Sequence, residues 1–253
     1  MKSLFWIILV VVIIFGIMFF FKKSPKQVVY PSDEILLRDG SKCELTFFQH
    51  ASISVRYVEK VIYFDPAGEQ IAWEKLPKAD AIVLTHAHFD HFDLSAIDKL
   101  KGPSTEFICT KEVSREFGGN CITMTPYMEA RPFDGILIKA VPAYNISEGH
   151  LDFHPKQRED CGYILHIGGS SIYVAGDTED TEELLSLRDI DIAFLPVNQP
   201  YTMTEDQVIR VVKTIKPGIF YPYHFGQVEQ KTNLTRLENE LSLVTDLRIR
   251  PLE

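Results

Sequence analysis

Directly after the apolar run Ala81-Ile82-Val83-Leu84 stand His86, His88, Asp90 and His91, three histidines and a carboxylate within six positions. In an extended segment His86 and His88 project from the same side, and a turn immediately afterwards swings Asp90 and His91 back toward them. A neutral imidazole offers a nitrogen lone pair near pH 7, and aspartate adds a charged oxygen. The spacing therefore points to a metal site, with room on one loop to serve two ions. The competing reading is a polar loop whose histidines are unrelated, and the rest of the chain decides between the two.

A chain of 253 residues, 45% hydrophobic and 24% charged, suits one sizeable domain and shows neither a low-complexity tract nor a solenoid repeat. The formal net charge of −9, with no basic cluster after the N-terminal lysines, makes nucleic acid a poor partner. Cys43, Cys109, Cys121 and Cys161 contain no C-x-x-C pair, which argues against a zinc ribbon or a thioredoxin-like site. Buried free thiols are the expectation, with pairing left open if the domain lies outside the cytoplasm.

Residues 4–21, LFWIILVVVIIFGIMFFF, are uncharged and about as long as a helix needs to cross the hydrocarbon core. One N-terminal transmembrane helix is expected within residues 1–23, making the chain a single-pass membrane protein. A cleaved signal peptide is the alternative, but the run exceeds a usual signal core and Phe19-Phe20-Phe21-Lys22-Lys23 offers no small-x-small cleavage site. Lys22, Lys23 and Lys26, set against Lys2 and the terminal amine, tilt the catalytic domain toward the cytoplasm by about one charge, which leaves its side open. Residues 24–41 read as a polar, proline-containing linker, and the folded domain is expected over residues 42–253.

Residues 45–48, 52–57 and 61–64 have the β-branched and aromatic content of a meander whose last strand stops at Asp65-Pro66. Further strands are expected over 81–85, 106–110, 121–124, 136–141, 162–167, 171–175, 190–196 and 219–222. Asp93 can cap a helix carrying Leu94, Ile97 and Leu100 on one side, and a short helix starts at Lys111. Thr204-Glu205-Asp206-Gln207 is a capping-box pattern ahead of Val208, Val211, Val212 and Ile215. The alternation of strand and helix gives an α/β class.

Several of these strands end in a ligand-type side chain: Asp65, the His86 to His91 cluster, the loop holding Asn145 and His154, Asp177, and His224. The HxHxDH pattern, followed in order by Gly176-Asp177-Thr178 and His224, closely resembles the metallo-β-lactamase superfamily. VPAYN, HP, GYI, AGDT and YTM, at residues 141–145, 154–155, 162–164, 175–178 and 201–203, are similar to the branch of ascorbate-6-phosphate lactonases and N-acyl-phosphatidylethanolamine phospholipase D. The resemblance covers roughly residues 42 to 230. It implies an αββα sandwich, with His86 and His88 on one metal, Asp90, His91 and His224 on a second, and Asp177 bridging them. Where several relatives have a histidine after Pro-Ala-Tyr, this chain has Asn145. His154 is the preferred replacement ligand, with Asn145 or water as the alternative and His150 as a loop histidine. His50 and Asp65 are possible ligands or supports, Asp65 as a carboxylate that orients a metal-bound imidazole. His166 falls within a strand.

Two divalent metals about 3.5 to 4 Å apart can hold a bridging hydroxide and polarise the bond it attacks, with Asp90 orienting the hydroxide. Zinc is the first expectation from a nitrogen and oxygen ligand set, with manganese or iron open. The implied activity is hydrolysis of an ester, lactone or amide in a small-molecule or lipid-like substrate. A membrane-associated phosphodiesterase and a non-catalytic metal-binding protein are the alternatives. A diiron redox protein would replace His88 with glutamate. Tyr144, Tyr201 and Phe225 adjoin the expected site.

Overall fold

The computed structural model describes residues 29–226 and 230–252, which form two sheets of seven strands packed face to face. In the first sheet β1 (Ser32–Leu36), β2 (Lys42–Gln49), β3 (Ser52–Tyr57) and β4 (Lys60–Phe64) pair antiparallel. β5 (Ala81–Leu84), β6 (Glu106–Thr110) and β7 (Ile122–Met124) then add in parallel. The second sheet repeats this scheme. β8 (Glu129–Phe133), β9 (Ile136–Pro142), β10 (Cys161–Ile167) and β11 (Ser170–Val174) are antiparallel. β12 (Ile192–Pro196), β13 (Ile219–Tyr223) and β14 (Asp246–Leu247) follow in parallel.

Parallel strands need crossovers, and these supply the outer layers: α1 (Leu94–Leu100) and α2 (Lys111–Phe117) on the first sheet, α3 (Glu182–Leu185), α4 (Glu205–Ile215) and α5 (Leu234–Leu241) on the second. Successive side chains of a strand face opposite ways, so each central strand feeds two cores. Along β5, Ala81 and Val83 enter the core between the sheets, while Ile82 and Leu84 pack under α1. Along β12, Ile192 and Phe194 face inward and Ala193 and Leu195 meet α4. Burial on both faces is why these segments read as unbroken apolar runs. The described residues therefore make the αββα sandwich that the motifs imply.

Local chemistry sets the element ends. Asp93 Oδ1 caps α1 by accepting from the Ser95 and Ala96 N–H groups at 2.8 and 3.3 Å. Thr204 and Gln207 complete a reciprocal capping box on α4. Gly168 and Gly169, both at positive φ, close the β10–β11 hairpin in two residues.

Four features differ from the sequence reading. Ser32–Leu36, placed in the linker, is an edge strand; only its Ile35 is fully buried, so its composition carried little strand signal. β8, α3, α5 and β14 were not anticipated. Leu94 is exposed, and α1 packs instead through Ala96, Ile97 and Leu100. Cys109 and Cys121 form a disulfide, leaving Cys43 and Cys161 as buried thiols. Among the described residues no helix is long and apolar enough to cross a membrane, and the apolar segment 4–21 lies outside them.

The C-terminal segment is bolted to β1 by Asp33, whose carboxylate accepts from Arg250 Nη2 at 2.6 Å and from the Tyr221 hydroxyl at 2.5 Å. Burial pushes the Asp33 carboxyl up, but Tyr221, Arg250 and Arg248 outweigh it and hold it below the usual aspartate value. Its contribution is complete above the unfolded-state value near 3.8 and is lost as pH falls through the lower folded value. Asp33→Asn is expected to cost about 1 kcal/mol near neutral pH. In denaturant titrations the gap from wild type should close in strong acid; a gap independent of pH would exclude the carboxylate as its cause.

Candidate metal centre

Strand ends and one turn deliver every candidate to a common edge of the two sheets. Asp65 follows β4, His86 to His91 follow β5, His154 lies in the loop after β9, Asp177 follows β11 and His224 follows β13; His50 is in the β2–β3 turn. The His88 carbonyl accepts from the N–H groups of His91 and Phe92 at 3.0 and 2.9 Å, and this turn folds Asp90 and His91 back over the strand end. Two groups result, each with its ligand atoms within 4.8 Å of one another: His86, His88, His154 and Asp177, and His50, Asp90, His91 and His224. Asp177 reaches both, with His154 Nε2 at 3.3 Å, His91 Nε2 at 3.3 Å and His224 Nε2 at 3.1 Å.

The backbone is held in unfavourable shapes to achieve this. His50, Asp65 and His224 all take the left-handed conformation, at φ of 57°, 44° and 53°. Such residues persist only where surrounding contacts over-determine them. Here the His224 N–H donates to the His50 carbonyl at 3.1 Å, and the His50 N–H donates to the Leu252 carbonyl at 3.0 Å. Gly176, at φ +65°, sits where a Cβ would meet the Thr85 Cβ at 2.9 Å.

The outward ring nitrogens fix how each imidazole faces the centre. His91 Nδ1 lies 2.9 Å from Asp65 Oδ2, His154 Nδ1 lies 3.1 Å from the Tyr201 carbonyl, and His86 Nδ1 lies 3.0 Å from Thr85 Oγ1. His224 Nδ1 is 2.9 Å from the Asn198 amide, whose Oδ1 has no other partner and becomes the acceptor when the amide is turned. The inward Nε2 atoms of His86, His91, His154 and His224, with Asp177 Oδ1, are buried without a hydrogen-bond partner. Buried polar atoms are rarely left so, and five converging on one place have the chemistry of a cation site. Nitrogen and carboxylate donors of this kind fit divalent transition metals.

Above these atoms opens a cavity of about 650 Å³, lined by the site residues together with Ala87, Phe89, Phe153 and Tyr201. Residues 44–224 match the family model of the β-lactamase superfamily domain. The chain belongs to the metallo-β-lactamase superfamily. A metal-dependent hydrolase of Thermoplasma volcanium is 32% identical over 188 residues, covering 70% of this chain and 81% of that protein. One from Pelotomaculum thermopropionicum is 27% identical over 198 residues, covering 72% and 84%. A solved structure from Parabacteroides distasonis, described as a metal-dependent hydrolase, is 37% identical with a TM-score of 0.83 and covers 89% of this chain and 100% of that one. Like these relatives, the chain is a metal-dependent hydrolase.

Electrostatics in this metallo-β-lactamase site divide the histidines. Burial, then the neighbouring His91, hold His86 well below the usual imidazole value; burial, Arg158 and His154 bring His88 down to about 4. Both rings are therefore neutral near pH 7, the form a metal accepts. Burial opposes charge on His91 and His224 as well, but Asp177 beside both, with Asp65 or Asp90, raises them. Burial likewise works against ionised Asp177 and Asp90, and the same histidines overcome it. Cations entering this half of the site displace protons, so metal affinity weakens as pH falls.

The metallo-β-lactamase resemblance left Asn145 and His154 as rivals; His154 stands in the first group, with its Nε2 3.3 Å from Asp177 Oδ2. Asn145 Nδ2 donates to the Tyr201 and His150 carbonyls at 2.8 and 3.1 Å, tying the loop shut, while its Oδ1 is buried without a hydrogen-bond partner. Short polar side chains that cross-link loops in this way have no distinctive sequence signal. His150 lies 3.6 Å from Glu179, at the side of the loop. Tyr144 donates to Glu183 and Phe225 packs between the sheets, so neither lines the cavity, whereas Tyr201 does. Sequence reasoning overlooked Thr85, Asn198, Arg158 and Glu179; Glu179 accepts from the Ile146 and Ser147 N–H groups at 2.7 and 2.6 Å. His154→Ala is expected to remove about one metal equivalent per chain, whereas Asn145→Ala leaves the donor set complete. Elemental analysis giving equal metal in wild type and His154→Ala would take His154 out of the set.

Proposed function

We propose that this chain is a dinuclear metallohydrolase, zinc-loaded in the first instance, that cleaves an ester, lactone or amide bond. The observation that carries the reading is the convergence of unpartnered, inward-facing imidazole and carboxylate atoms beneath an open cavity. Two divalent cations there would supply Lewis acidity toward the scissile bond and an activated water.

The protein's own residues do the rest. Asp177 stands between the two groups, and Asp90 forms the cavity wall with His50 Nε2 at 3.1 Å from its Oδ2. Held ionised by its histidine neighbours, Asp90 is an acceptor at the place where a water must be oriented. Asp65 and the Tyr201 carbonyl hold His91 and His154 from behind. Phe89, 87% exposed, together with Phe153 and Tyr201, gives the mouth an apolar rim, and no lysine or arginine lines it among the described residues. That lining favours an uncharged carbonyl substrate with an apolar part over a phosphodiester. The motif likeness to lactonases and to N-acyl-phosphatidylethanolamine phospholipase D supports the same pair of chemistries, in that order.

The proposal extends to location. Residues 4–21 have the length and composition of a membrane anchor, and the Cys109–Cys121 disulfide supports an oxidising compartment for the domain it closes.

Assays with neutral aryl esters, lactones and bis-aryl phosphodiesters test the chemistry. A His86→Ala, Asp90→Ala double variant should lose at least about 100-fold in kcat/KM on the ester, and chelation should abolish turnover until zinc is returned. Undiminished hydrolysis by the double variant would remove this site from catalysis. For the location, the full chain should sediment with membranes and release its domain when residues 1–28 are deleted. Mass spectrometry under non-reducing conditions should find Cys109 joined to Cys121; recovery of both as free thiols from native membranes would overturn the compartment.

A further inference from the structure

His88 differs from four other imidazoles of this site in what stands behind it. Behind His86, His91, His154 and His224 stands a group able to accept a proton from the outward nitrogen: the Thr85 hydroxyl, the Asp65 carboxylate, the Tyr201 carbonyl or the Asn198 amide oxygen. Thr85 is free to do so because its own hydroxyl proton goes to Asp65 at 2.6 Å. Behind His88 stands a donor. Arg158 Nη1 lies 2.9 Å from His88 Nε2. A guanidinium has no acceptor and stays protonated, so in this contact Nε2 must supply the lone pair. A neutral imidazole with its lone pair at Nε2 carries its proton on Nδ1, and with Nε2 engaged by Arg158, Nδ1 is the one nitrogen His88 could offer a cation held with His86 and His154. Arg158 thus selects the tautomer of His88 that cannot ligate, and adds a positive charge to the same side.

The surroundings of Arg158 offer it a second position. Its Nε already donates to Asp160 Oδ2 at 2.5 Å and lies 3.3 Å from Glu112 Oε2. Its Nη2, Asp160 Oδ1 and Glu112 Oε2 are all buried without hydrogen-bond partners. Donor and acceptors left over in one small cluster mark an arrangement with an alternative pairing.

We infer that Arg158 is a positioning residue that makes the His86, His88 and His154 position the weaker of the two metal positions. Filling it requires the guanidinium to leave His88 for Asp160 and Glu112, so that Nε2 takes the proton and Nδ1 is freed. The two ions then load in order, the position at Asp90, His91 and His224 first. This rests on the metal-binding half of the proposed function and does not depend on which bond is cleaved.

The test is zinc binding by the full chain, stripped of metal and titrated against a competing chelator, with no turnover measured. Wild type should show two unequal equivalents. Arg158→Met should tighten the weaker one by about tenfold and leave the stronger unchanged, while Arg158→Lys, which keeps the charge, should not tighten it. Equal affinities in wild type, or a weaker equivalent unmoved or lost in a folded Arg158→Met protein, would overturn the inference. A measurement on wild type stands apart from any folding defect: histidine-labelled nitrogen NMR should show His88 changing from the Nδ1–H to the Nε2–H form at the second equivalent only. A His88 ring that holds the Nε2–H form before any metal is added would equally refute it. If zinc binds as described and no substrate class is turned over, the hydrolase reading fails and the role of Arg158 stands.

Discussion

The carboxylate of Asp65 is the interaction on which the site depends. It is fully buried, and a buried charge is tolerated only when its oxygens are satisfied. Oδ1 accepts from the Thr85 N–H at 2.8 Å, and Oδ2 accepts from the Thr85 hydroxyl and faces His91 Nδ1 at 2.9 Å. One side chain at the end of β4 therefore fixes the start of the ligand loop after β5 and the orientation of an imidazole six residues further on. Its left-handed backbone is steadied in turn by its N–H donating to the Val83 carbonyl and by Ser52 donating to its own carbonyl at 2.6 Å. Removing this charge would free the loop and the ring together, because both are secured through it.

The two-sheet architecture explains why so many loops meet at one edge. Each sheet contributes parallel central strands whose ends open at the same side, and crossover helices carry the chain back between them. Ties across the sandwich hold the two halves in register beneath the site: Tyr163 donates to the Leu84 carbonyl at 3.1 Å and the Cys161 N–H to the Thr85 carbonyl at 3.2 Å, while Tyr223 of β13 donates within the second sheet to the Gly176 carbonyl at 3.2 Å. The first two join the stretch before the His cluster to β10, which pairs with the strand that delivers Asp177. Within the second sheet, β10 also demands glycine where it meets the end of β11, since a Cβ on Gly162 would fall 2.4 Å from the Ala175 carbonyl oxygen.

What could be read from the residues follows from what kind of signal each feature leaves. Central strands such as β5 and β12 are apolar on both faces and announce themselves, and α4 shows its cap and its buried stripe together. β1 and β8 lie at sheet edges, where one or two buried positions suffice and composition looks like loop. α5 is short and polar, although Asn233 as its cap and Leu237 and Leu241 on its buried side left a faint pattern. In the site, side chains that contribute a ligand-type atom were visible by chemistry and by their place at strand ends. Roles played by a carbonyl or by a hydrogen bond across the fold were not: Tyr201 was placed beside the site without its carbonyl's hold on His154, and Asn198 carried no signal, because nothing in residue identity marks such roles. The pairing of Cys109 with Cys121 depends on β6 and β7 lying side by side, a fact of tertiary structure.

Asn145 shows how one side chain can close a loop at the edge of the site. Its N–H donates to the His154 carbonyl at 2.8 Å, and its side chain donates to the same Tyr201 carbonyl that faces His154 Nδ1. The loop between them is pinned from outside by Glu179. A histidine at position 145 could not make both amide bonds, so the loop would lose its closure to the turn that bears Tyr201. With asparagine there, the loop stays closed and the His154 ring, nine residues later, is held by the carbonyl that asparagine helps to fix. Asn145 and His154 thus answer to one constraint, the position of the Tyr201 carbonyl.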